Sequence, residues 1–264
     1  MNRIYLKDEN EDKLMSFGRK EKVRIGVIGI GSCVGASTIA LLISSKLSEM
    51  GRGTAYAELG TPDRMRSLTY DKMAFGRRFS KSDFNDFYEN LHKGSPVRRM
   101  KNMACGINWA LITPNDVEKS ISLTTENKLR LISNLFGEIV VVDMSFDEIN
   151  LLSEMDYVVS VIDPMPSVLL NKQEALNCIY EKGLRDGNVI WVVNKFNSGV
   201  AKSQLNSFIK LKKYFKVPCL PIEEIYKMEY NCKLLSKSKG ISKLTDDVVS
   251  EIITNMEIKE KHHK

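Results

Sequence analysis

Gly29-Ile30-Gly31-Ser32-Cys33-Val34-Gly35-Ala36-Ser37-Thr38 joins a largely apolar, partly β-branched run, Val23 to Ile28, to a stretch with helical spacing, Ile39 to Met50. A glycine-rich turn between a strand and a helix is the setting of a phosphate-binding loop. In the pattern G-x-x-x-x-G-K-[ST], backbone N–H groups wrap the phosphates and the helix N-terminus adds positive potential. The lysine reaches the terminal phosphates and the Ser or Thr binds magnesium. Here Ile30 stands at the first glycine and Ala36 at the lysine. The cradle from Gly31 through Ser32, Cys33, Val34, Gly35, Ala36 and Ser37 to Thr38 is kept, with the Ser37 hydroxyl for a metal ion. The charge that would neutralise a transferring phosphoryl group is not. Such turns also occur wherever a helix must pack closely on a sheet, so other segments decide between a nucleotide site and a packing device.

Two of them bear on that choice. Glu138-Ile139-Val140-Val141-Val142-Asp143 reads as a buried parallel strand ending in a carboxylate, the form of a Walker-B segment, in which the Asp positions magnesium or its water shell. Val189-Ile190-Trp191-Val192-Val193-Asn194-Lys195 is another apolar strand, ending in an amide that can hydrogen-bond a base edge. Strands of open α/β sheets often end in polar residues; the order and spacing of these along one chain carry more weight than either does singly.

With these segments the chain resembles the MinD/ParA group of P-loop proteins, whose loop reads K-G-G-x-G-K-[ST]. On that pattern Gly31 falls at the signature lysine, Ala36 at the second lysine, Val34-Gly35 at the x-Gly and Ser37 at the Ser/Thr. The group's second strand commonly ends in D-x-D; here Glu58 takes the first acid and Gly60 the second. Asp143 matches the Walker-B aspartate, followed by Met144-Ser145 in place of the usual small-Pro pair. The resemblance covers about residues 22 to 255 and implies a doubly wound, mostly parallel α/β sheet with helices on both faces. It implies a nucleotide site at residues 31–38, Glu58 and Asn194, with Ser37 and Asp143 on the metal if Mg-nucleotide binds. Because both lysines are absent, it points to a pseudo-ATPase rather than an enzyme, with ATP or ADP and magnesium held weakly if at all.

Composition agrees with a single α/β domain: 264 residues with 43% hydrophobic content can bury one sizeable core. No apolar run approaches the roughly 20 residues that span a bilayer. The first 20 residues are polar and charged, without the apolar stretch of a secretory signal. Five cysteines, scattered and odd in number, argue against a disulfide framework. The expected compartment is the cytoplasm. The expected division is a polar extension over 1–20, one domain over 21–258 and a polar tail over 259–264.

Alternating periodicities predict strands near 22–29, 53–58, 106–112, 138–143, 156–162, 188–194 and 216–220. Helical spacing marks Leu129 to Phe136, Ser167 to Lys182 and Ser203 to Tyr214. Thr245 is a cap candidate for a last helix carrying Val248, Val249, Ile252, Ile253 and Met256 on one face. That face is expected to pack on the sheet; MinD's own amphipathic membrane anchor has no counterpart in the polar tail. Asp163-Pro164-Met165-Pro166-Ser167 reads as a rigid turn and cap, on an edge that faces the dimer partner in the MinD/ParA group.

Residues 64 to 101 carry ten Lys or Arg against four acids, a balance of +6 that equals the net charge of the whole chain. Tyr70, Phe75, Phe79, Phe84, Phe87 and Tyr88 are interleaved, which predicts a segment at least partly folded. It reads either as a solvated excursion or as a docking face built on Arg77, Arg78, Arg98 and Arg99 for an acidic protein, nucleic acid or an anionic membrane surface.

Three functional readings follow. The first is a scaffold or regulatory partner in a bacterial positioning or assembly system, working through a protein partner and open to homodimer formation; degenerate loops of this kind occur among pilus-assembly relatives. The second is a nucleotide-switched ATPase of the same group that takes its cation from elsewhere. The third treats Gly29-x-Gly31-x-x-x-Gly35 and Glu58 as a Rossmann fingerprint, which implies a dinucleotide-binding oxidoreductase.

Overall fold

A computed structural model describes residues 22–59, 69–70, 84–98, 100–113 and 123–258. Val23–Gly29 forms β1, Ala36–Glu49 α1 and Thr54–Glu58 β2. A short helix α2, Phe87–His92, is capped by Asp86, whose carboxylate accepts the Glu89 N–H at 2.8 Å. Met103–Ala104 and Ile107–Ala110 form β3 and β4, Thr125–Asn134 forms α3, and Ile139–Met144 forms β5. A 3-10 stretch, Phe146–Glu154, leads to β6, Tyr157–Ile162, and then to α4, Pro166–Asn171, and α5, Gln173–Asp186. The chain continues through β7, Val189–Phe196, α6, Lys202–Ile209, and β8, Phe215–Pro218. It closes with α7, Ile222–Tyr230, and α8, Lys239–Asn255.

The strands form one eight-stranded sheet in the order β3-β4-β2-β5-β1-β6-β7-β8, parallel except for the β3–β4 pair. Continuous apolar runs suit this architecture, because a central parallel strand is covered on both faces. On one face α1 and α8 bury Ile39, Ile43 and Leu47 with Ile252 and Ile253. On the other, Leu131 and Ile132 of α3, Leu152 of the 3-10 stretch, and Leu176 and Ile179 of α5 are buried in a second apolar cluster. Val27 pairs with Asp143 and Glu58 with Asp143, so the ends of β1, β2 and β5 reach one level at the carboxyl edge, where ligands of open α/β sheets bind.

This strand order corrects the Rossmann reading. In that fold β1 and β2 are neighbours, which brings the acid ending β2 to the ribose. Here β5 lies between them, and β1 is flanked by β5 and β6.

Other differences from the sequence reading are local. The strand predicted at 106–112 is β4, and the short β3 before it was not foreseen: Cys105 (φ 53°) and Gly106 (φ 76°) both take positive φ, as a type I′ turn requires, and join β3 to β4 in a tight hairpin. The helix predicted over Ser167 to Lys182 breaks at Lys172, whose φ of −120° and ψ of 22° leave the helical region. The helix predicted to reach Tyr214 stops at Ile209, because Lys210 takes a left-handed conformation. Thr245 caps nothing. It lies inside α8 and its hydroxyl donates to the Ile241 carbonyl at 3.0 Å, while Ser238 accepts the Ile241 N–H and is the cap. The earlier start wins because it also buries Ile241.

Among the described residues no helix is long and apolar enough to cross a membrane. The extension over 1–20, the tail over 259–264, Gly60 and much of 64–101 lie outside the described residues.

Candidate functional site

The loop leaves β1 with Ile30 anchored, its N–H donating to the Val161 carbonyl on β6 at 2.9 Å. Gly31 (φ 142°) and Gly35 (φ 92°) take conformations that side chains rarely adopt, and Cys33 joins them at φ 58°. Val34 is buried and Ala36 opens α1 without a side-chain cap. Among the described residues, the amide N–H groups from Gly31 to Thr38 find no hydrogen-bond acceptor in the protein. Consecutive free amides at a helix N-terminus form a concavity for an anion.

β7 holds this loop from below. The buried Asn194 donates its amide to the Val34 carbonyl at 2.9 Å. Lys195, itself at φ 55°, donates to the Cys33 carbonyl at 2.8 Å and pairs with Asp163 at 2.7 Å. Asp163 also accepts the Met165 N–H at 3.0 Å ahead of Pro166, so the turn expected there is present and is tied to the loop. Asn194, read from sequence as a base-edge contact, supports the loop backbone in the structure. Sequence reading missed Lys195 as a brace: its partner Cys33 lies 162 positions away, and only the polar end of β7 is a visible signal.

The acids sit deeper. Asp143 is buried and accepts the Tyr56 hydroxyl at 3.0 Å, with Thr69 Oγ1 3.4 Å from that same hydroxyl. Glu58 is also buried; its carboxylate accepts the Ile112 N–H at 3.2 Å and its backbone carbonyl accepts the Tyr88 hydroxyl. Phe87 and Tyr88 are buried, so this part of the basic segment folds onto the core as its aromatic content predicts. Arg98 is exposed, whereas Arg77, Arg78 and Arg99 lie outside the described residues.

The unpaired amides fit a phosphate. For magnesium, Ser37 and Asp143 are the oxygen donors the loop and β5 offer, and one Asp143 oxygen already accepts a phenol. Among the described residues no group of three or more His, Cys, Asp or Glu could hold a metal ion by itself.

No protein-family model matches the chain, and no curated protein does. Solved structures do. A plasmid partition protein from Borrelia burgdorferi, bound to AMPPNP, is similar over 89% of this chain and 99% of its own, with a TM-score of 0.65 at 15% identity. The chain has the ParA/MinD fold. The septum site-determining protein MinD of Pyrococcus horikoshii, complexed with Mg-ADP, is similar over 88% of this chain and 96% of its own, with a TM-score of 0.63 at 12% identity. The MinC:MinD cell division complex of Aquifex aeolicus matches over 92% and 98%, with a TM-score of 0.63 at 13% identity. In the ParA/MinD fold of this chain, the segment from Gly29 to Thr38 spans the β1–α1 loop and the first residues of α1, and it contains no lysine.

Proposed function

We propose that this chain is a catalytically degenerate ParA/MinD-like P-loop protein, a scaffold or regulatory partner in a bacterial positioning or assembly system. The observation that carries the reading is a loop whose amides are arranged for phosphate while Gly31 and Ala36 stand where the two lysines belong. It is a cytoplasmic protein with one domain over 21–258, and it binds ATP or ADP with magnesium weakly, without turning ATP over. The similar folds bound to AMPPNP and Mg-ADP support a nucleotide at this edge, and the MinC:MinD complex supports a protein partner. The test is ATP hydrolysis by the purified chain. Loss of one cation at a phosphoryl-transfer site removes on the order of 10³ to 10⁵ in rate, so turnover should not exceed background. Hydrolysis that Asp143→Ala abolishes would return the chain to the switched ATPases that take a cation from elsewhere.

A further inference from the structure

We infer that Lys172, at the junction of α4 and α5, supplies the binding charge that the loop lacks, so that the site takes a polyphosphate, whether carried by a nucleotide or free as pyrophosphate. This rests on the reading of the loop as a phosphate cradle. Three observations bear on it. The helical spacing from Ser167 to Lys182 breaks at Lys172 alone, and the break lays this side chain across the loop. A Cβ built on Gly31 would lie 3.3 Å from the Lys172 Cγ and 3.6 Å from its Cε. Gly31 is the position of the signature lysine in the resembling group; its φ of 142° strains any side chain there, and the first carbon of one would press closely on the Lys172 stem. One lysine thus fills the place of the other from a different element.

The second observation is the state of its charge. Lys172 is exposed, and among the described residues its ammonium has no hydrogen bond or ion pair. Lys195, the other lysine at the loop, is engaged by Asp163 and by the Cys33 carbonyl. The third is the run of unpaired amides beside it, from Gly31 to Thr38. A compact ammonium on a flexible stem beside free amides complements a phosphate oxygen.

Calorimetric titration of inorganic pyrophosphate and of ADP into the full chain tests this, using wild type, Lys172→Ala, Lys172→Arg, Ala36→Lys and the Lys172→Ala/Ala36→Lys double variant, with thermal melts to confirm folding. Lys172→Ala should weaken both probes by about tenfold to a hundredfold. Lys172→Arg should keep most of the affinity, and Ala36→Lys should restore it in the Lys172→Ala background. Tighter pyrophosphate identifies a bare polyphosphate site and tighter ADP a nucleotide site; either supports the inference. Equal affinity of wild type and Lys172→Ala overturns it and leaves the cradle reading intact. Failure of wild type to bind either probe also overturns it. In that case, binding by Ala36→Lys keeps the cradle reading, and no binding removes both.

Discussion

Gly35 shows how tightly single residues constrain the loop. Its φ of 92° disfavours any side chain, and a Cβ there would sit well inside van der Waals contact with the Asn194 amide nitrogen. Asn194 cannot withdraw without losing its hydrogen bond to Val34. Gly35→Ala is therefore expected to destabilise the protein by on the order of 1–3 kcal/mol, read as a lower urea midpoint at unchanged slope. Ala36→Lys involves no such conflict, since Ala36 is the first residue of α1 and only partly buried. It should tighten ATP binding by roughly tenfold or more at unchanged stability, measured by equilibrium titration. Tyr56 presents the opposite case, a buried phenol whose removal leaves Asp143 short of one donor. Tyr56→Phe should cost about 0.5–1.5 kcal/mol of unfolding free energy, measured by denaturant titration.

At the scale of the element, α5 ends in a charge cluster that makes its stability depend on pH. Hydrogen bonds from Lys182, and then from Arg185, hold the Asp186 carboxyl below its ordinary value of 3.8. A depressed carboxyl stabilises the fold above its unfolded value and loses that contribution as pH falls through the folded one. Asp186→Asn should therefore lower stability at neutral pH by a few tenths to about 1 kcal/mol, since the carboxylate is 30% exposed and screened. The gap between wild type and variant should close as the pH falls below the ordinary carboxylate range, a convergence that thermal melts across that range would register. The break between α4 and α5 matters in a different way. A continuous helix would carry Lys172 along its own axis, whereas the break delivers the residue to Gly31.

For the molecule as a whole, the basic segment is either a solvated excursion or a docking face, and two measurements separate these. α2 ties part of it to the core through Phe87 and Tyr88, and the Tyr88 hydroxyl donates to the carbonyl of Glu58 at the end of β2. A partner held by this segment would thus bear on the carboxyl edge directly. Neutralising Arg77, Arg78, Arg98 and Arg99 together should abolish partner capture while changing stability by no more than about 0.5 kcal/mol. Capture by the wild type should also weaken with salt, because exposed charges are screened beyond roughly 8–10 Å. Pull-downs at low and high salt check both outcomes, and identical partner sets from the two proteins would make the segment a solvated excursion.

The fold was legible because its signals are local. Seven apolar runs near the observed strands, the glycine loop between β1 and α1, and the carboxylate ending β5 each depend on neighbours a few positions apart, where periodicity and turn chemistry operate. The absence of lysine from the loop is likewise a property of the chain alone. The β3–β4 turn and the break at Lys172 were not legible, since a Cys-Gly pair and an Asn-Lys-Gln run sit within otherwise regular patterns. Folding alone decided what surrounds the loop. Asn194 and Lys195 reach it from β7, 160 and 162 positions from their partners, and Lys172 crosses Gly31 from another connection. Parallel strands bring distant crossover ends to one edge of a sheet, and the contacts made there follow from strand order and backbone angles that no short window of sequence contains.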